Sequence, residues 1–329
     1  MKIEKLIEII DATLTNTTTK TELNSATLYP KKVEEGDLFI AQNIEDIDEA
    51  IKNGAVAIVY EDEELELKGD VAYLKVSSVK EASIKLLSYI INGDEELYLY
   101  LIKPKTLSFF KMIQLEKKNI EYLSDEWEKA FESLLNSDKA IFFSTDEAFM
   151  KALNPKIKTF SKAAFGYNVE DTLFRSTFRI EKFVYQHKKM TPFHLPNLLE
   201  AVELCNIHKL PYSIDRINYT KHFMPIFIDE ETFIQKAHIN DHVVIITDNL
   251  EDISNGREYA KEAKVVMSKS IVFTPPKTKV ENYTKPTIFR DSTSLVTAVK
   301  TTSFNYGFVY TDKREDYEAL KEYFNELSK

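Results

Sequence analysis

The chain has 329 residues, and its 43 Lys+Arg against 53 Asp+Glu leave a formal charge of −10, without the basic footprint of a nucleic-acid binder. A hydrophobic share of 43% with 29% charged residues excludes wholesale disorder, and the length allows two or three domains. One cysteine, Cys205, excludes an internal disulfide and a Cys-rich zinc site, while the charged N-terminus and the lack of any apolar run near about 18 residues point to a cytoplasmic protein.

In chain order, Ile3, Leu6, Ile7, Ile10 and Leu14 recur at helical spacing. Asp37–Ala41 reads as a buried strand and Ile44–Lys52 as a short amphipathic helix, closed by Asn53-Gly54 at a left-handed cap. Strands follow at Ala55–Tyr60 and Val71–Val76, then a helix over Ser78–Ile91 and a strand at Leu97–Ile102. From Lys103 to about Asp125 the chain looks helical and charged, and a second helix covers Glu126–Leu135. Ala140–Ser144 is a strand, Thr145–Leu153 a helix, Thr159–Tyr185 several short strands, and Pro196–His208 an amphipathic helix. A last unit from near Tyr219 has strands at 225–228, 242–247, 270–273, 287–289 and 307–310. Its helices are expected at 255–264, 294–300 and 315–327, so a small, mostly parallel α/β sheet is predicted. Thr274–Pro286, with three prolines, is a loop within it.

Seven glycines in 329 residues is few against a usual share of about 7%. No two lie within ten residues of each other, so neither glycine-rich phosphate motif, which needs closely spaced glycines, is present.

The segment Val33-Glu-Glu-Gly-Asp-Leu-Phe-Ile-Ala41, followed by an acidic helix and Ala50-Ile-Lys-Asn-Gly-Ala-Val-Ala-Ile-Val-Tyr-Glu61, resembles the N-terminal domain of the Mur ligases of peptidoglycan synthesis. It is closest to their D-alanyl-D-alanine-adding branch. Tyr100–Thr106, Met190–Ala201, Val244–Glu251 and Phe308–Glu318 fall in register with later family segments. The resemblance implies an α/β multidomain architecture: an N-terminal α/β domain over 1–95, a reduced central, formerly ATPase, domain over 96–218, and a C-terminal Rossmann-like domain over 219–329.

Departures from the family pattern bear on function. The glycine positions of the family's phosphate loop are Leu101 and Pro104 here; leucine resists the needed backbone, and proline lacks an N–H to offer phosphate. Lys105-Thr106 remains as a vestige of that loop, opening a helix. Only 34 residues lie between Lys105 and Ala140, too few for the stretch that carries the family's magnesium-binding Glu and His. Without cradle and metal ligands, phosphoryl transfer has neither positioning nor charge stabilisation. The family's uridine-site Asp-Ser/Thr-Arg aligns with Tyr29-Pro30-Lys31, where Lys31 would offer a point charge instead of an arginine fork; Asp229 stands near a second substrate motif.

Other constellations are sparse. Among six histidines, His238 and His242 are four apart, but Asn240-Asp241 between them reads as a turn, so no metal site is expected. Cys205 on the Pro196–His208 helix reads as a small buried hydrophobe, with His208 three residues on as an incomplete Cys/His pair.

The expectation is therefore a non-catalytic Mur-ligase-like pseudoenzyme with a binding or regulatory role linked to peptidoglycan synthesis or cell shape. It would use no cofactor and bind protein partners of the wall-synthesis machinery, with residual UDP-sugar-peptide binding left open. An active ATP-dependent ligase with an unconventional nucleotide site is the alternative, and an unrelated α/β enzyme with a local resemblance the second.

Overall fold

The computed structural model describes all residues except 62–64, 94–96, 117–118, 137, 228–241, 263–268, 281–282, 284 and 328–329. By packing the chain divides into two units, Met1–Ile102 with Lys117–Phe160, and Lys103–Glu116 with Ser161–Lys329.

In the first unit, helix α1 (Ile3–Ile10) buries Ile3, Leu6 and Ile10. It stops at Asp11, whose left-handed backbone (φ 52°) ends the helix before Leu14. Leu14 therefore lies on the short strand β1 (Thr13–Leu14), 40% exposed, and not on the expected helical stripe. Strands β2 (Ala26–Thr27), β3 (Leu38–Ile40), β4 (Ala57–Tyr60) and β5 (Ala72–Lys75) run parallel, and β1 closes the order β1-β5-β4-β3-β2 antiparallel to β5. Alternation along these strands explains why they read as unbroken apolar runs. Leu38, Ile40, Ala57, Val59, Ala72 and Leu74 enter one core; Phe39, Ile58, Tyr60 and Tyr73 enter another on the opposite face. Helix α2 (Ile47–Asn53) covers the second face through Ile47 and Ala50. It ends at Gly54, at φ 112°, where a Cβ would meet the Glu35 backbone at 2.8 Å.

Helix α3 (Val79–Gly93) leads to a three-stranded parallel sheet of β6 (Tyr98–Leu101), β7 (Ile120–Tyr122) and β8 (Ile141–Ser144), in the order β6-β8-β7. Helices α5 (Trp127–Asn136) and α6 (Glu147–Leu153, capped by Asp146) bring Phe131, Leu134, Met150 and Leu153 into the first core. The expected helical stretch 103–125 is corrected here. Helix α4 (Pro104–Ile113) is only ten residues long, Gln114 turns extended, and β7 follows. A three-residue edge strand between charged segments leaves no alternation to read.

The second unit holds α4, an antiparallel meander of β9 (Gly166–Asp171), β10 (Arg175–Ile180) and β11 (Phe183–Lys189), and helix α7 (Leu195–Ile207). It also holds a sheet of β12 (Met224–Phe227), β13 (Val243–Thr247), β14 (Ser270–Thr274), β15 (Thr287–Ile288) and β16 (Tyr306–Tyr310), in the order β12-β13-β16-β14-β15. All pairs there are parallel except β12 with β13. Helices α8 (Leu250–Glu262), α9 (Ser292–Thr301) and α10 (Arg314–Leu327) accompany it.

Candidate functional site

Polar side chains converge in the second unit around the start of α4. Lys103 is the residue before the helix, extended and without a side-chain cap; Pro104 begins it, its missing N–H costing nothing at that position. Lys105 and Thr106 occupy the rest of the first turn. The sequence-predicted pair is thus brought together at a helix start, as expected, but its side chains are already engaged.

Lys105 Nζ lies 2.6 Å from Asp252 Oδ1, with 14% of the lysine side chain and 1% of the aspartate exposed. The other Asp252 oxygen is 2.9 Å from His194 Nε2. Thr106 Oγ1 donates to Glu200 Oε2 at 2.6 Å and accepts from Asn197 Nδ2 at 3.2 Å. Glu200 takes Lys103 Nζ on its second oxygen. Both carboxylates are buried, and all four of their oxygens accept a hydrogen bond from this chain.

The supporting elements follow from local sequence. Asn197 and Glu200 are three apart on α7 and so share a face. Asp252 sits in the first turn of α8, where Asn249 Oδ1 accepts from the Glu251 and Asp252 amides. His194 is held edge-on among Phe109, Phe193 and Phe223, with ring centroids 5.2–6.1 Å away. Burial pushes its pKa below the ordinary histidine value, outweighing the hydrogen bond and charge of Asp252. The ring is therefore neutral at pH 7 and donates its Nε2–H to Asp252.

The remaining candidates are placed elsewhere. Lys31 is exposed in a 3-10 turn (Pro30–Lys32) of the first unit; its neighbour Lys32 is 3.6 Å from the buried Glu132 and 4.8 Å above the Tyr29 ring. Asp229 lies outside the described residues. Cys205 is fully buried on α7, and burial pushes its thiol up to about 12, so it is no thiolate nucleophile at neutral pH. Leu101, Phe109 and Phe110 are all buried. Among the described residues no group of three or more His, Cys, Asp or Glu side chains could hold a metal ion, and no helix is long and apolar enough to cross a membrane.

Sequence reasoning missed Asp252, Glu200 and Asn197. Asn197 and Glu200 lie within the segment in register at 190–201, and Asp252 one residue past that at 244–251; a pairing of helix-start cations with buried acids on other helices has no local signature.

No protein-family profile matches the chain, and no curated protein sequence matches it. Solved structures do. A MurF ligase from Thermotoga maritima, solved in complex with ADP, aligns over 92% of this chain and 98% of its own at 11% identity, with a TM-score of 0.53. A MurF from Acinetobacter baumannii aligns over 98% of both chains at 9% identity, with a TM-score of 0.52. The likeness runs along almost the whole chain and is not local. With its parallel-containing sheets and helices in this order, the chain has a Mur-ligase-like multidomain α/β architecture.

Proposed function

We propose that this chain is a Mur-ligase-shaped protein that does not perform ATP-dependent ligation, and that it acts by binding, in a regulatory role linked to peptidoglycan synthesis or cell shape. The observation that carries this is the occupation of Lys105 and Thr106 by Asp252 and Glu200. A phosphate approaching the start of α4 would meet two buried carboxylates bonded to the very donors it needs, and it would have to break those contacts while facing their charge. Leu101 and Pro104, in place of glycines, add no converging amides. Protein partners of the wall-synthesis machinery are the proposed ligands, with exposed Lys31 a candidate contact for a residual UDP-sugar-peptide.

The rival reading, a ligase with an unconventional nucleotide site, draws on Lys105-Thr106 opening a helix just after a strand and on the ADP in one structural neighbour. Titration calorimetry with Mg-ATP separates the two. We expect no saturable heat at millimolar nucleotide. Micromolar binding abolished by Lys105→Ala would overturn the proposal and restore the ligase.

A further inference from the structure

Further along α4 from Lys105, a second constellation lies within the same unit. Ser108 follows Lys105 by three residues and shares its helix face. Its Oγ is 3.0 Å from His222 Nε2. On the other side of the ring, His222 Nδ1 is 2.8 and 2.9 Å from the two carboxylate oxygens of Asp248, directly after β13. His222 is 2% exposed, while Ser108 keeps part of its surface open to solvent.

The hydrogen-bond directions follow from this arrangement. Burial pushes the Asp248 carboxyl up, but the hydrogen bond from His222 and the charge of Lys221 outweigh it and hold the pKa below the usual carboxylate value. An ionised Asp248 can only accept, so the imidazole proton sits on Nδ1. In the neutral form of the ring Nε2 then has a free lone pair, placed to accept the Ser108 O–H. A hydroxyl on a base, with the base oriented by a carboxylate, is the arrangement that makes a serine nucleophilic.

We propose that Ser108 is a nucleophile, with His222 as its base and Asp248 as the positioning residue, and that it takes up the acyl group of activated carboxylic esters. Ser108 Oγ bonds to the ester carbonyl carbon as its proton passes to His222 Nε2. The carbon–oxygen bond to the leaving group then breaks, and His222 returns the proton to the departing alkoxide. Water, deprotonated by His222, attacks the acyl-serine; the Ser108 Oγ–carbon bond breaks, the acid departs and the serine regains its proton. This goes beyond the binding role proposed above and does not depend on it. The contrasting reading is that Ser108 and Asp248 merely satisfy a buried imidazole, in which case the serine is as inert as any surface hydroxyl.

The test treats the full chain with a fluorophosphonate and, separately, with p-nitrophenyl acetate, followed by intact mass and peptide mapping. Expected are one phosphonyl adduct per chain, on Ser108 with loss of fluoride, and a burst of one equivalent of p-nitrophenol. Ser108→Ala should abolish both, and His222→Gln should slow labelling by about 100-fold or more. Because truncating a buried histidine can unfold the chain, the adduct map of the native protein and the Ser108→Ala variant, checked by its thermal melt, decide alone. No adduct on the folded protein, or an adduct on another residue, overturns the proposal.

Discussion

Removing the Asp252 carboxylate tests how much the network around α4 contributes. In Asp252→Ala, Lys105 Nζ and His194 Nε2 each lose a partner, at 2.6 and 2.9 Å. Breaking a buried ion pair costs about 3–5 kcal/mol, and because Lys105 is 14% exposed and can partly rehydrate, the lower end, about 3 kcal/mol, is expected. Asp252→Asn should cost less, about 1–2 kcal/mol, because its amide oxygen can still accept from Lys105. Its NH2 can donate to His194 once that ring moves its proton to Nδ1. A cycle with Lys105→Met should then show coupling of about 1 kcal/mol or more, since the double variant leaves no orphaned lysine. Urea unfolding at pH 7.5, with the slope m checked for constancy, reads the wild type and each variant. A loss under about 0.5 kcal/mol for Asp252→Ala, as for an ordinary surface site, would refute the reasoning, as would strict additivity in the cycle.

Three further outcomes follow from the structure. The lowered pKa of buried His194 means that the unfolded chain binds a proton more readily than the folded one, so this contribution to stability is present above about pH 6.5 and is lost as pH falls from there through the folded value; His194→Gln should flatten urea midpoints measured between pH 7.5 and 5, and an unchanged slope would contradict this. Cys205, buried and with its thiol pushed up to about 12, should react with a thiol reagent at pH 8 only as fast as the chain opens, and immediate stoichiometric labelling of native protein would be inconsistent with its place on α7. Gly54→Ala should destabilise by more than about 1 kcal/mol in a thermal melt, because φ is 112° and the new Cβ meets the Glu35 backbone; a neutral substitution would mean that the turn shifts freely.

How much was legible in the sequence depended on the range of the interaction involved. Leu38-Phe39-Ile40 and Ala57–Tyr60 could be read as buried strands because both faces of their sheet are covered, which writes an apolar run into the chain. Val243–Thr247, Ser270–Thr274 and Tyr306–Tyr310, interior to the C-terminal sheet, were legible for the same reason, whereas the helix expected at 255–264 spans Leu250–Glu262. Ile120–Tyr122 was not, since three residues at a sheet edge carry no period, and Leu14 was misplaced because the break at Asp11 depends on one backbone angle. At the candidate site, Lys105 and Thr106 stood out because they align with the end of the family's phosphate loop and open a helix. Their partners did not: Glu200 is 94 residues from Thr106 and Asp252 147 from Lys105, and no local pattern records such a pairing. The Ser108, His222 and Asp248 contacts were hidden in the same way.

The two buried carboxylates at the start of α4 also determine what this helix owes to its surroundings. A helix end that awaits a diffusible anion is stabilised by mass action, and its melting temperature moves with the concentration of that anion. Here the counter-charges are tethered to the same chain on α7 and α8, at an effective concentration that dilution cannot lower. The order of α4 is thereby uncoupled from the phosphate and nucleotide content of the medium. Amide exchange along Pro104–Ile113 should be equally slow in their presence and in their absence.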